Sequence, residues 1–161
     1  MSNLKSFTDA VSRLVNLVSK VHLGTTARSE NDLSSGFASV LSSLGLSTVN
    51  EDARRLCWLD AFGALIANTD RHQYNILFFT EGSHLRLAPA FDQVSMLYAP
   101  TGDGQVPPRE FMLPHATANT LEVWEDAREA ARQFWEQGSE DMRLSNDARM
   151  FCASNTKLFA Q

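Results

Sequence analysis

Cysteine is scarce in this chain. Cys57 and Cys152 stand 95 positions apart in apolar surroundings and form no Cys-x-x-Cys pair, which leaves no material for a disulfide framework or a thiolate zinc site. A reducing cytoplasm is the compartment that suits such usage. Long hydrophobic runs are missing too: none approaches the roughly 18 apolar residues of a membrane span, and the amino terminus lacks the basic-then-apolar order of a signal peptide. The expectation is a cytoplasmic protein without a membrane partner. Positive charge is also short, with 14 Lys and Arg against 19 Asp and Glu and a formal net charge of −5, so nothing neutralises a phosphate backbone. Nucleic acid is therefore not expected as a direct partner. Several catalytic signatures are absent as well: no Gly-x-Ser-x-Gly elbow, no His-Glu-x-x-His, no Walker A loop, no Gly-x-Gly-x-x-Gly. What remains is a chain of 161 residues, 43% apolar and 20% charged, the size and mix of one globular domain with a single core.

Apolar periodicity predicts mostly helices. Leu4, Phe7, Val11, Leu14, Val18 and Val21 recur at three- and four-residue steps up to Gly24, one stripe of a core-facing helix. Phe37, Val40, Leu41 and Leu44 suggest a shorter second one. Asn50 is a good N-cap, with Glu51 and Asp52 favourable at the positive end of the dipole, and Leu56, Leu59, Phe62, Gly63 and Ile66 follow at helical spacing. Ile76 to Phe79, a turn over Thr80 to Ser83, and the alternating His84-Leu85-Arg86-Leu87 read as a β-hairpin, which Pro89 ends because it offers no ladder donor. Ala99 to Asn119, rich in Pro and Gly, reads as a long irregular connection. Thr120 is the expected cap of a helix carrying Leu121, Trp124, Ala127, Ala131, Phe134 and Trp135, closed by Gly138, with Glu122, Glu125, Asp126, Glu129 and Glu136 on its solvated face. A last helix is expected over Asn146 to Leu158. The class is mainly α, with one small hairpin.

The chemistry concentrates in Asn68-Thr69-Asp70-Arg71-His72-Gln73-Tyr74-Asn75, with Asp92 after the hairpin. An Asp followed five residues later by an Asn is how a kinase catalytic loop sets a carboxylate at the attacking hydroxyl and an amide oxygen on magnesium, and a second carboxylate after a hairpin strand completes such a metal site. Spacing alone is weak: Asp141 and Asn146 stand equally far apart. Context separates the two pairs, because an apolar helix leads into Asp70 and strands lead out of it. Arg71 could meet a phosphate or simply be solvated.

These residues carry a resemblance. The segments Asn68-Thr69-Asp70-x-His72-x-x-Asn75 and Leu87-Ala88-Pro89-x-Phe91-Asp92-x-x-Ser95 resemble the two signature stretches of the HipA-like kinases, bacterial toxin-type serine/threonine kinases, with Phe91 where the family usually has Tyr. The resemblance implies a kinase-like carboxy-terminal lobe over residues 1–161. It implies Asp70 as catalytic aspartate, His72 as its structural or phosphate-side neighbour, and Asn75 and Asp92 as ligands of Mg²⁺ and hence of Mg·ATP. The implied reaction moves the γ-phosphoryl of ATP to a Ser or Thr hydroxyl of a protein. In that family the substrate class is an aminoacyl-tRNA synthetase and the usual partner a DNA-binding antitoxin. The family also places a nucleotide-binding lobe upstream, with a lysine on the phosphates, whereas Lys5, Lys20 and Lys157 fall on expected terminal helices. That lobe is therefore expected as a partner, either in cis or as a separate chain. Two other readings stay open: a catalytically inactive lobe that binds a protein partner, and a kinase of small-molecule hydroxyls, since antibiotic and lipid kinases also use an Asp-x-His-x-x-Asn loop.

Overall fold

A computed structural model describes residues 50–72, 75–81, 84–105 and 107–160. The helices expected over 4–24 and 37–44 lie outside these residues, as do Gln73, Tyr74, Gly82 and Ser83. Among the described residues the architecture is mainly α with one two-stranded antiparallel sheet, in the order α1 (Asn50–Leu65), β1 (Phe78–Glu81), β2 (His84–Leu87), α2 (Trp124–Glu140) and α3 (Asn146–Leu158).

The core forms where α1 and α3 pack on α2. Ala127, Ala131 and Trp135 recur every fourth residue on α2 and are all buried, so two small side chains admit neighbouring helices beside one large ring. Ala61, Leu65, Ile66 and Ala67 from α1 and its end, Cys152 from α3, and Phe159 close the cluster. The Trp135 indole N–H donates to the Leu65 carbonyl at 3.1 Å, pairing a carbonyl that the last turn of α1 leaves without a helical partner. Trp58 reaches across to α2 as well, its indole donating to Asp126 at 2.7 Å. Asp126 is thus more than a member of a solvated face.

The hairpin is displaced from its expected frame. Pairing runs from Phe78 opposite Leu87 to Glu81 opposite His84, so Thr80 and Glu81 belong to the ladder rather than to the turn. Ile76 and Leu77 precede the strand, although Ala88 N–H still donates to Leu77 O at 2.8 Å. Pro89 then ends the pairing as expected. The sheet is tied to α1 by buried Asp52, whose carboxylate accepts the Leu87 N–H at 3.0 Å.

Two expected helix ends are different in the structure. Thr120 does not cap α2: its hydroxyl accepts the Thr117 N–H at 2.9 Å, and a 3-10 turn over Leu121–Val123 leads into the helix. Gly138 does not close α2, which continues to Glu140; it sits at the crossing with α3, where a Cβ would lie 2.8 Å from Cys152 Sγ. By contrast α3 spans the expected residues, capped by Ser145, whose hydroxyl accepts the Ala148 N–H at 3.2 Å.

The long connection over 99–119 is irregular, as expected. Just before it, Tyr98 stacks on Phe151 at 4.2 Å, meets Trp135 edge-on and shares hydrogen bonds with buried Asn155. Burial pushes its phenol pKa up, against the opposing effect of the Asn155 bond.

Candidate active site

The site grows out of the way α1 stops. Asn68 N–H donates to Gly63 O at 2.9 Å and Ala67 N–H to Ala64 O at 3.2 Å, the paired reversal that ends a helix through one left-handed residue. That residue is Ala67, at φ 58°, where the reversal ordinarily favours glycine. The turn delivers Asn68 to a buried position, 1% exposed, and Asn68 then ties down two further segments. Its Oδ1 accepts the Asp70 N–H at 3.1 Å, and its Nδ2 donates to the Asp92 carbonyl at 3.3 Å. The Ala67 carbonyl accepts the Leu97 N–H at 3.0 Å. The segment around Asp92 is therefore fastened at two points to the turn that carries Asp70.

This fastening brings together residues far apart in sequence. Asn75 Nδ2 donates to Asp92 Oδ2 at 3.0 Å and also reaches the Asp70 carbonyl at 3.4 Å. His72 Nε2 lies 3.9 Å from Asp70 Oδ1, with both side chains well exposed to solvent. Asp92 adopts φ 55°, a left-handed conformation that Asp tolerates better than most residues. It comes directly after exposed Phe91. The structure thus places Asp70, His72, Asn75 and Asp92 along one solvent-facing edge between the end of α1 and the end of the hairpin. The equally spaced pair Asp141 and Asn146 is organised otherwise. Asp141 takes the Arg143 side chain and backbone N–H, and this pairing holds its pKa down at about 2, while Asn146 opens α3.

Chemically the edge offers hard oxygen donors, the Asp92 carboxylate and the Asn75 amide oxygen, the type that Mg²⁺ takes. The Asn75 amide nitrogen lies against the Asp92 carboxylate, so the two side chains are in direct contact. Among the described residues no group of three or more His, Cys, Asp and Glu side chains forms a metal cage. The donor set fits a cation that also takes ligands from a phosphate and from water.

Four residues of the site escape a reading of the sequence alone. Asn68 stands out there only as part of the motif. Asp60 is buried at 6% exposure on α1, and the sequence does hold a signal for it: a carboxylate on the same stripe as Leu56 and Gly63. Arg71 is neither solvated nor aimed outward at a phosphate, because its guanidinium turns inward, with Nε 3.4 Å from Asp60 Oδ1 and Nη1 donating to the Asn68 carbonyl at 2.5 Å. Gln93 lies beside Gly63, its Oε1 3.2 Å from where a Cβ would sit.

Comparison with known proteins agrees with the resemblance seen in the motifs. Toxin YjjJ of Escherichia coli (strain K12) is 33% identical to this chain over 89 residues, which are 55% of the chain and 20% of the toxin. The matched region is thus about a fifth of that relative's length. No solved structure matches the chain. No helix among the described residues is long and apolar enough to cross a membrane. The pattern of the HipA-like C-terminal domain matches residues 19–154, most of the sequence, and the chain therefore belongs to the HipA-like C-terminal domain family.

Proposed function

We propose that this chain is the catalytic-loop lobe of a Mg²⁺- and ATP-dependent kinase acting on Ser or Thr hydroxyls of a protein substrate, and that residues 1–161 form a single domain. The observation that carries this reading is the meeting of Asn75 and Asp92 at 3.0 Å beside the Asp70 loop, since these residue types at one edge are what phosphoryl transfer uses. A nucleotide-binding lobe, in cis or as a separate chain, supplies most contacts to ATP. The relative's name, Toxin YjjJ, supports a toxin-related role, and an antitoxin is the partner such a role would take. The scarcity of cysteine, with two in 161 residues, suits a cytoplasmic setting.

In this reading the exposed Asp70 carboxylate accepts the hydrogen bond of the incoming hydroxyl, fixes its direction and takes its proton. Exposure matters here, because a protein substrate must reach the carboxylate from solvent. Asn75 and Asp92 would hold Mg²⁺ through their oxygens, and His72 lines the loop next to Asp70. When bound, Mg·ATP supplies the transferable phosphoryl group and the positive charge that offsets negative charge developing on its oxygens.

The test is Asp70→Asn in the chain joined to its nucleotide lobe. Phosphoryl transfer is expected to fall by about 10²-fold or more, the range for a positioned acid or base, with the melting temperature kept. Asp141→Asn is the matched control and should leave turnover within a factor of about two. Equal losses in both variants, or full turnover in Asp70→Asn, would refute the assignment.

A further inference from the structure

Beneath the site a buried carboxylate and a guanidinium face each other across the end of α1. Asp60 is 6% exposed, and a charge so far from water is costly to keep unless it is paired. Arg71 provides the pairing, with its side chain 17% exposed and Nε 3.4 Å from Asp60 Oδ1. The same guanidinium donates through Nη1 to the Asn68 carbonyl at 2.5 Å. Its stem crosses α1 at Gly63, where a Cβ would stand 2.6 Å from Arg71 Cδ and 3.4 Å from Cγ. No larger residue leaves that passage open, so Gly63 is the notch through which the arginine reaches the carboxylate.

The geometry closes a small ring. Arg71 returns to the carbonyl of a residue three positions earlier, and Asp70 lies inside the bracket, its own N–H held by Asn68 Oδ1 at 3.1 Å. The backbone is thus held on both sides of Asp70, whose side chain projects to solvent. We propose that Asp60, Arg71 and Gly63 form a strap whose task is to aim Asp70, which makes Asp60 and Arg71 positioning residues. The inference rests on the kinase reading for its catalytic meaning, while the strap itself is a statement about this loop and is tested separately.

Asn68 extends the effect. Its Nδ2 donates to the Asp92 carbonyl at 3.3 Å, so a loop released from the strap also loosens the segment that presents Asp92 to Asn75. Loss of the strap therefore has two local signatures, one at the Asp70 amide and one in cation binding. A contribution to stability alone would produce neither signature selectively.

The experiment uses this chain, with Mn²⁺ as the cation probe and amide hydrogen exchange followed by NMR. In Asp60→Asn, exchange at Asp70 N–H is expected to rise about tenfold or more, because losing the charge that pairs with Arg71 loosens the loop locally. Amides of α2 and α3 should stay within a factor of about two, and Mn²⁺ affinity should fall severalfold. Arg71→Lys keeps the charge but cannot bridge two acceptors with a planar fork, and should give the same pattern with a smaller amplitude; it carries the test if Asp60→Asn does not fold. Unchanged exchange at Asp70, or a uniform rise across all helices, would overturn the strap. Separately, Mn²⁺ binding that Asp92→Asn does not weaken would count against the kinase reading while exchange still decides the strap.

Discussion

Gly138→Ala separates two accounts of one glycine. If Gly138 ended its helix in the left-handed region, alanine there would cost about 1 kcal/mol whatever its neighbours. The structure instead puts it inside α2, with the site of a Cβ 2.8 Å from Cys152 Sγ and 3.5 Å from Cys152 Cβ. Alanine then gains about 1 kcal/mol of helix propensity, against roughly 1–3 kcal/mol for forcing extra volume into a packed contact. Cys152 is 5% exposed and cannot swing out, so the clash wins and a net loss of up to about 2 kcal/mol is expected. Cys152→Ala removes the sulfur and leaves Cys152 Cβ at 3.5 Å and Leu144 Cδ1 at 4.0 Å, both ordinary contacts. In that background Gly138→Ala should become stabilising by up to about 1 kcal/mol. The assay is a double-mutant cycle by urea denaturation, reading midpoints at constant slope. The same cost in both backgrounds would refute the packing account, because a backbone penalty does not depend on a sulfur atom on α3.

Tyr98→Phe should cost about 1–2 kcal/mol by urea melts, since buried Asn155 loses the phenol that both its amide nitrogen and its oxygen contact; a change below about 0.3 kcal/mol would show that the amide finds another partner. Stability should also decline on the alkaline side. Burial raises the Cys152 thiol above its ordinary value of 9.0, so the unfolded chain gives up this proton first, and the contribution is intact below about pH 9 and lost as the pH rises past it. Cys152→Ala should flatten the decline above about pH 9, measured as midpoint against pH; an unchanged slope would assign the decline to other groups.

Much of the helical framework is readable because periodicity and capping are local. α3 begins after Ser145 and ends at Leu158, where its apolar spacing ends as well. Thr120 and Gly138 mislead because a residue type that often caps helices also serves other contacts. Thr120 turns back to Thr117, and Gly138 is small for the sake of a neighbouring helix. The second strand falls on the expected residues, while the first starts two residues later than expected, for a similar reason. Thr80 and Glu81 look like turn residues one by one, while the paired register of both strands decides where the turn falls.

The candidate site obeys a different logic. The residue types of Asp70, Asn75 and Asp92 are legible, because a hydroxyl and a cation restrict which side chains can serve them. What brings these residues together is not legible, because it depends on two backbone conformations that local preference resists. Ala67 and Asp92 are the non-glycine residues with positive φ among the described residues, one at the end of α1 and the other in the segment that follows the hairpin. Ala67 is fixed by the helix-ending bonds and by Leu97, and Asp92 by Asn68 and Asn75. The helix-ending bonds are local to α1, whereas the bonds from Leu97, Asn68 and Asn75 join the two segments, so the two positive-φ positions are coupled through the Ala67 carbonyl and Asn68. Backbone strain held in this way is typical of sites that must present side chains in one fixed geometry. Asn68, uncharged and buried, therefore governs the site's shape more than any of its exposed carboxylates.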